Sequence, residues 1–320
     1  MSESTDRAVN DRIVTVQILV DARERLGVVL QCGQQGLTKE IRNRSAVKPG
    51  LVLTGVQRAH GDAVHVMGRA EHEYLSVRPE SEQRQILMDY VRSGVPCVVT
   101  CWGLAPLPVL LELAEEHNVP IFTSRRTTGE FIRELELFLV EEMAPTEEVH
   151  GVLVQVHDLG LLISGKSGIG KSETALELVL RGHRMVADDV VRIKRSGDTL
   201  VGSGVPMLGQ YVEIRGLGIL HAGDLFGQAA VVDSVRVEAM VELVGWDEVG
   251  EADRSGLDEH SMTCLGVSIP HIRLPVRPGR NIATIIEIAA RNQILRKRGV
   301  NSAKRYEALL LQRLQEPAGD

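Results

Sequence analysis

Gly165-Lys166-Ser167-Gly168-Ile169-Gly170-Lys171-Ser172 stands between an apolar run, Leu161-Leu162-Ile163, and a helix-like run, Ser172-Glu173-Thr174-Ala175-Leu176-Glu177-Leu178. Strand signal, glycine-rich turn ending in Lys-Ser, and helix signal in that order make a complete Walker A motif. The glycines let backbone N–H groups curl around phosphate oxygens, and the following helix offers its positive end. Lys171 is placed to reach β- and γ-phosphates, and Ser172 to offer a hydroxyl to Mg²⁺. A chance glycine turn lacks the flanking periodicity. The stretch therefore predicts an α/β phosphate-binding unit that handles a nucleotide or a related polyphosphate.

Working outward, the chain of 320 residues is long enough for about two domains. Hydrophobic residues make up 43% and charged residues 25%, the balance of a soluble globular protein. Aromatics are 3%, so the cores must be built from Val, Leu, Ile and Ala. A net charge of -7 disfavours nucleic acid or an anionic membrane as the partner of the protein as a whole. No apolar run approaches the ~18–20 residues needed to cross a bilayer. Met1 to Asp6 has no signal-peptide character, so the expected address is cytoplasmic. Cys32, Cys97, Cys101 and Cys264 have no metal-ligand spacing and are expected as reduced thiols, Cys97 and Cys101 buried.

Ahead of the motif, Val95-Pro96-Cys97-Val98-Val99-Thr100 and Val119-Pro120-Ile121-Phe122-Thr123 read as strands, with helical spacing from Leu107 to Glu116 between them. That unit predicts parallel pairing in a separate α/β domain. Thr127 to Met143 reads as a connecting helix, and the two domains are expected at 1–136 and 137–320. Beyond the motif, Ala229 to Val232 and Glu238 to Val244 read as strands, and Thr284 onward to about Leu314 as one or two helices.

Phosphoryl transfer needs a phosphate cradle, a divalent metal and a group that manages the nucleophile's proton. Met185-Val186-Ala187-Asp188-Asp189 ends an apolar run in two carboxylates, where strand ends open onto a ligand crevice. Adjacent side chains on an extended chain face opposite ways, so one carboxylate is expected near the metal and the other near the acceptor. Gly182-His183 reads as a helix stop, with His183 a helix-end residue. Glu213-Ile214-Arg215-Gly216-Leu217-Gly218-Ile219 admits two readings, backbone pressed against a ligand or a tight turn with a solvated ion pair. Pro275-Val276-Arg277-Pro278-Gly279-Arg280-Asn281 is a proline-stiffened loop whose guanidiniums suit oxyanions, with an ordinary basic turn as the other reading. His150, before a strand-like run, is by itself structural.

Taken together these segments resemble the bacterial HPr kinase/phosphorylase family. The resemblance rests on His150-Gly151, Gly165 to Leu178, Arg181-Gly182-His183 through Asp189, Glu213 to Ile219, Asp253-Arg254 with Gly256-Leu257-Asp258, and Pro275 to Asn281 followed by Ala289-Ala290 and Asn292. It implies an N-terminal α/β domain and a C-terminal P-loop kinase domain with a carboxykinase-like nucleotide-binding core. It also implies phosphorylation of a serine on the phosphocarrier HPr by ATP or pyrophosphate, phosphorolysis of phosphoseryl-HPr by inorganic phosphate, and a role in carbon catabolite regulation. On the family pattern Lys171 and the loop amides hold phosphates, Ser172 and Glu213 hold Mg²⁺, and Asp189 moves the serine proton in both directions. His150 and Arg254 match further active-site positions, and Pro275 to Arg280 matches the segment used for dephosphorylation. A homohexamer is implied as well. Lys166 departs from the pattern, standing where the family usually carries an acidic residue, and Glu251-Ala252 and Ser255 depart around Arg254. Two rivals are a metabolite kinase without HPr and a nucleotide sensor without turnover.

Overall fold

The computed structural model describes residues 12–55, 61–205, 209–214, 216–248 and 260–315. The chain divides into two compact units, Met1–Ala144 and Pro145–Asp320.

In the first unit, strands β1 (Val28–Cys32), β2 (His65–Met67), β3 (Val98–Thr100) and β4 (Ile121–Ser124) form a sheet of order β1-β4-β3-β2. β3 pairs parallel with both β2 and β4, and β1 closes the edge antiparallel. Helices α1 (Arg69–Ser76), α2 (Glu80–Arg92), α3 (Pro108–Glu116) and α4 (Thr128–Glu142) surround it. Alternation along each strand feeds two cores. Val98 and Ile121 pack with Leu87, Leu110 and Leu113, while Val99 and Phe122 pack with Phe131, Leu135 and Leu139. The expected strand–helix–strand unit is thus present as β3–α3–β4. Cys97 and Cys101 are buried free thiols.

α4 starts at a capping box: Glu130 N donates to Thr127 Oγ1 at 3.3 Å, and Thr127 N donates to Glu130 Oε2 at 3.0 Å. A boundary at 136 falls inside α4. Leu135 and Leu139 on either side of it are fully buried in the same core, so the helix belongs whole to the first unit.

The second unit is one mixed sheet with helices on a face. Its strands are β5 (Thr146–His150), β6 (Val152–Val156), β7 (Leu159–Gly165), β8 (Arg184–Ala187), β9 (Val190–Ser196), β10 (Thr199–Gly204) and, after the hairpin β11 (Tyr211–Ile214) and β12 (Gly218–His221), β13 (Ser234–Gly245), β14 (Ser261–Cys264) and β15 (Val267–Val276). The order is β8-β6-β7-β13-β10-β9-β5, with β15 parallel to the far half of β13. β7 and β13 run parallel in the centre, Ile163 opposite Val241. Helices α5 (Lys171–Leu180) and α6 (Ile282–Lys297) cover one face through Ala175, Leu178, Ala283, Ile286 and Ala290. A last helix, α7, spans Ser302–Gln315. The run 229–232 is not a strand. Gly227 takes φ 86, residues 228–230 form a 3₁₀ turn, and Val231 makes a single bridge to Met185. No helix among the described residues is long and apolar enough to cross a membrane.

Phe131 is fully buried where α4 meets the first sheet. Phe131→Ala is expected to cost about 3–5 kcal/mol. Denaturant unfolding followed by Trp102 fluorescence, with Trp246 replaced by Phe, measures it.

Candidate functional site

β7 is buried along almost its whole length and stops at Gly165. There the backbone takes φ +142, and a Cβ would stand 2.5 Å from Leu243 O on β13, so the strand leaves the sheet only at a glycine. The loop returns through left-handed Gly168 and Gly170 into the first turn of α5. Lys171 Nζ folds back and donates to Gly165 O at 2.9 Å and Lys166 O at 3.2 Å, which holds its ammonium over the loop.

Ser172 Oγ donates to Asp188 Oδ1 at 2.9 Å. Asp188 is only 8% exposed. Burial pushes its carboxyl above the ordinary carboxylate range, opposed by the hydrogen bonds from Ser172 and from the Asp189 backbone. Asp189 does the opposite: its side chain is 87% exposed and its backbone is left-handed, φ +67. Such a φ is strained for a residue with a Cβ. Gly151 N, which donates to Asp189 O at 3.0 Å, pins the turn. The two carboxylates do divide, but β8 ends at Ala187 and the turn separates them, not strand alternation. His150, at the end of β5 and exposed, has Nδ1 4.0 Å from Asp189 Oδ1.

Lys171, Ser172, Asp188 and Asp189 line one cleft of about 660 Å³ together with Glu213 on β11, and His150 stands outside its lining. The oxygens of Ser172, Asp188 and Glu213 are hard donors suited to Mg²⁺, and a buried carboxylate with no ion pair among the described residues fits a cation there. Asp188 as a third donor was expected only as one of a pair.

The remaining expected residues fall elsewhere. Gly216 and Gly218 take φ 89 and 90 in the β11–β12 hairpin, and a Cβ on either would meet nothing within 4 Å. The turn by itself accounts for both glycines. Arg215 and Arg254 lie outside the described residues. Pro275 and Val276 belong to β15, opposite Val244 and Gly245, so the loop proper begins at Arg277. The Arg277 and Arg280 guanidiniums sit 4.5 and 5.7 Å above the Trp246 ring, and neither lines this cleft.

Two residues had no signal in the spacing. Glu248 Oε1 takes the Lys166 ammonium at 2.6 Å, an exposed pair worth at most about 1 kcal/mol. Trp246 carries the arginine loop; that the chain has only two tryptophans was the one available hint.

Comparison with known proteins adds two matches to family models: HPr Serine kinase N terminus over residues 14–139, and HPr Serine kinase C-terminal domain over 141–309. A Geobacter sulfurreducens protein called HPr kinase/phosphorylase is 40% identical over 98% of this chain and 99% of its own. One of the same name from Treponema pallidum is 40% identical over 93% and 95%. The solved Hpr(Ser) kinase/phosphatase from Coxiella burnetii is 34% identical over 50% of this chain and 98% of its own, with a TM-score of 0.46.

Asp188 supplies a stability prediction with a fixed sign. Its folded-state pKa is raised, so its contribution to stability is full below the unfolded pKa and lost as pH rises through the folded one. At neutral pH the buried charge opposes folding, and Asp188→Asn keeps an acceptor for Ser172. Without Mg²⁺ or nucleotide this variant is expected to melt above the wild type at pH 8, and the difference to shrink toward pH 4. Melting curves at the two pH values check it.

Proposed function

The chain belongs to the HPr kinase/phosphorylase family, and from that membership we propose how its one cleft performs two opposed reactions. It is a protein-serine kinase that acts on HPr and a phosphorylase of the phosphorylated product. The observation that carries the proposed site is the meeting of Lys171, the Ser172–Asp188 pair and an exposed Asp189 on one cleft.

In the forward direction the loop amides and Lys171 hold the donor's terminal phosphates, of ATP or of pyrophosphate. Asp189 accepts the proton of the HPr serine hydroxyl as its oxygen bonds to phosphorus. The bond from phosphorus to the bridging oxygen breaks, leaving ADP, or phosphate when pyrophosphate is the donor. In reverse, an oxygen of inorganic phosphate bonds to the phosphoserine phosphorus. The serine oxygen leaves, Asp189 returns its proton, and pyrophosphate is the product. A group that removes a proton in one direction must give it back in the other. The exposure of Asp189 supports this role, because the acceptor is a side chain on another protein. Ser172, Asp188 and Glu213 are the residues that would hold Mg²⁺, which when bound neutralises charge on the transferring phosphates.

His150, 4.0 Å from Asp189, adds a second proton-bearing group beside the acceptor. Arg254 is assigned to balance phosphate charge in the transition state. The Arg277–Arg280 loop is assigned to phosphorolysis, held as a unit on Trp246. A homohexamer in the cytoplasm completes the proposal.

Asp189→Asn is expected to lose both directions while still binding nucleotide. Intact-protein mass of HPr after incubation with donor, then with phosphate, reads the chemistry, and nucleotide titration reads binding. Wild-type turnover would remove the proton-transfer role. Arg277→Ala is expected to slow phosphorolysis roughly 10²- to 10³-fold, in the range of losing one oxyanion donor, and phosphorylation far less. Initial rates of pyrophosphate release and of HPr phosphorylation, side by side, decide that; equal losses count against a directional loop.

A further inference from the structure

His157, His183 and Glu287 come together from three elements: the turn joining β6 to β7, the segment after α5, and α6. None of them lines the phosphate cleft. Their ligand-capable atoms all lie within 4.8 Å of one another. His183 Nε2 is 3.0 Å from Glu287 Oε1, and the His157 and His183 rings meet edge to face with centroids 4.8 Å apart.

Each ligand is already oriented. Arg291 Nε donates to His157 Nε2 at 3.0 Å, so that nitrogen carries the lone pair. Arg181 Nη1 donates to Glu287 Oε2 at 2.8 Å, which holds the carboxylate by its other oxygen and leaves Oε1 toward His183. His157 and Asp158 take φ 48 and 70, so the turn itself fixes where the imidazole stands. His183, 8% exposed, is set by the helix stop at Gly182. A hydrogen-bonded pair accounts for His183 and Glu287. It gives no reason for a second imidazole, its Nε2 turned to the exposed Arg291, set edge-on against the first.

We propose that His157, His183 and Glu287 form a binding site for a borderline transition-metal dication, Zn²⁺ in the first instance, separate from the Mg²⁺ position at the phosphate loop. Two imidazole nitrogens and one carboxylate oxygen suit Zn²⁺, Co²⁺ or Ni²⁺, whereas Mg²⁺ prefers oxygen alone. Ligand bonds of about 2.0–2.2 Å need only small side-chain rotations from the present positions. Arg291, on an exposed part of α6, gives up His157 Nε2 to the ion. For His183 to ligate through Nε2, its ring proton sits on Nδ1. Arg181 then supports the liganding carboxylate from behind, as outer-shell groups do at such sites. The ion would tie the far end of α5 to α6 and to the β6–β7 turn.

The test uses the full-length chain stripped of metal and titrated with Zn²⁺ in excess Mg²⁺, with Co²⁺ absorption as a reporter of coordination. Wild type is expected to bind with nitrogen-ligand Co²⁺ bands and to gain melting temperature on adding Zn²⁺. His157→Ala changes a turn residue outside the core and is expected to stay folded while its affinity falls at least ~10–100-fold, the range for disturbed metal shells. Glu287→Gln is expected to lose affinity as well. Unchanged Zn²⁺ affinity in His157→Ala, no binding by wild type, or loss of binding in Asp188→Asn instead of His157→Ala would each overturn the assignment. The last result would put the ion in the phosphate cleft.

Discussion

A buried carboxylate held against the phosphate loop is the constraint that the second unit is built around. Asp188 is 8% exposed, and its partner is the Ser172 hydroxyl at 2.9 Å. A charge that deep is costly unless it is paired. A neutral hydroxyl is a partial partner, so the folded chain holds a carboxylate better matched to a cation than to its own surroundings. Everything that fixes Asp188 also fixes the loop. β8 brings it from one side, β7 and α5 bring Ser172 from the other, and Gly209 O takes the Asp188 N–H at 3.2 Å.

Under the proposed mechanism two adjacent acids serve where one would not, because a single carboxylate cannot be both buried against the loop and open to a protein-borne hydroxyl. The left-handed turn at Asp189 achieves the split within one residue. Its strain is borne by the Gly151–Asp189 hydrogen bond and by β9, which begins at once with Val190 paired to His150. His150 is thereby brought alongside Asp189 by the sheet register and not by proximity in sequence.

The sequence made the loop legible because its physics is local: a strand, a glycine turn and a helix within twenty residues. The β3–α3–β4 unit and the capped α4 were legible for the same reason. That Asp188 and Asp189 face apart was expected, yet the cause was not, since a left-handed aspartate leaves no mark in composition. Glu248 and Trp246 were invisible because their partners, Lys166 and Arg277, come from loops that follow other strands. Pro275 and Val276 looked like loop because proline usually stops a strand. β15 accommodates Pro275 where it pairs along a single neighbour, β13. Residues 127–143 read as a connecting helix, and the apolar stripe of α4 serves the first unit throughout, so a boundary at 136 cuts through one packed helix.

The two ends of α5 are not independent. Its first turn makes the phosphate loop, and its last turn carries Glu177 and Arg181. Arg181 donates to Glu177, Thr284, Glu287 and Asn281, and Asn281 Nδ2 donates back to Glu177 at 2.6 Å. Asn281 is the N-cap of α6, its Oδ1 accepting from Thr284 N at 2.8 Å, and it directly follows Arg280. The end of the arginine loop is therefore anchored to the helix that opens at the phosphates. β13 completes the ring, since it pairs with β7 before the phosphate loop and with β15 before the arginine loop. A rigid helix of about three turns thus gives the two loops a fixed spacing, which on the proposed roles keeps the arginine loop at a constant distance from the site that both directions share.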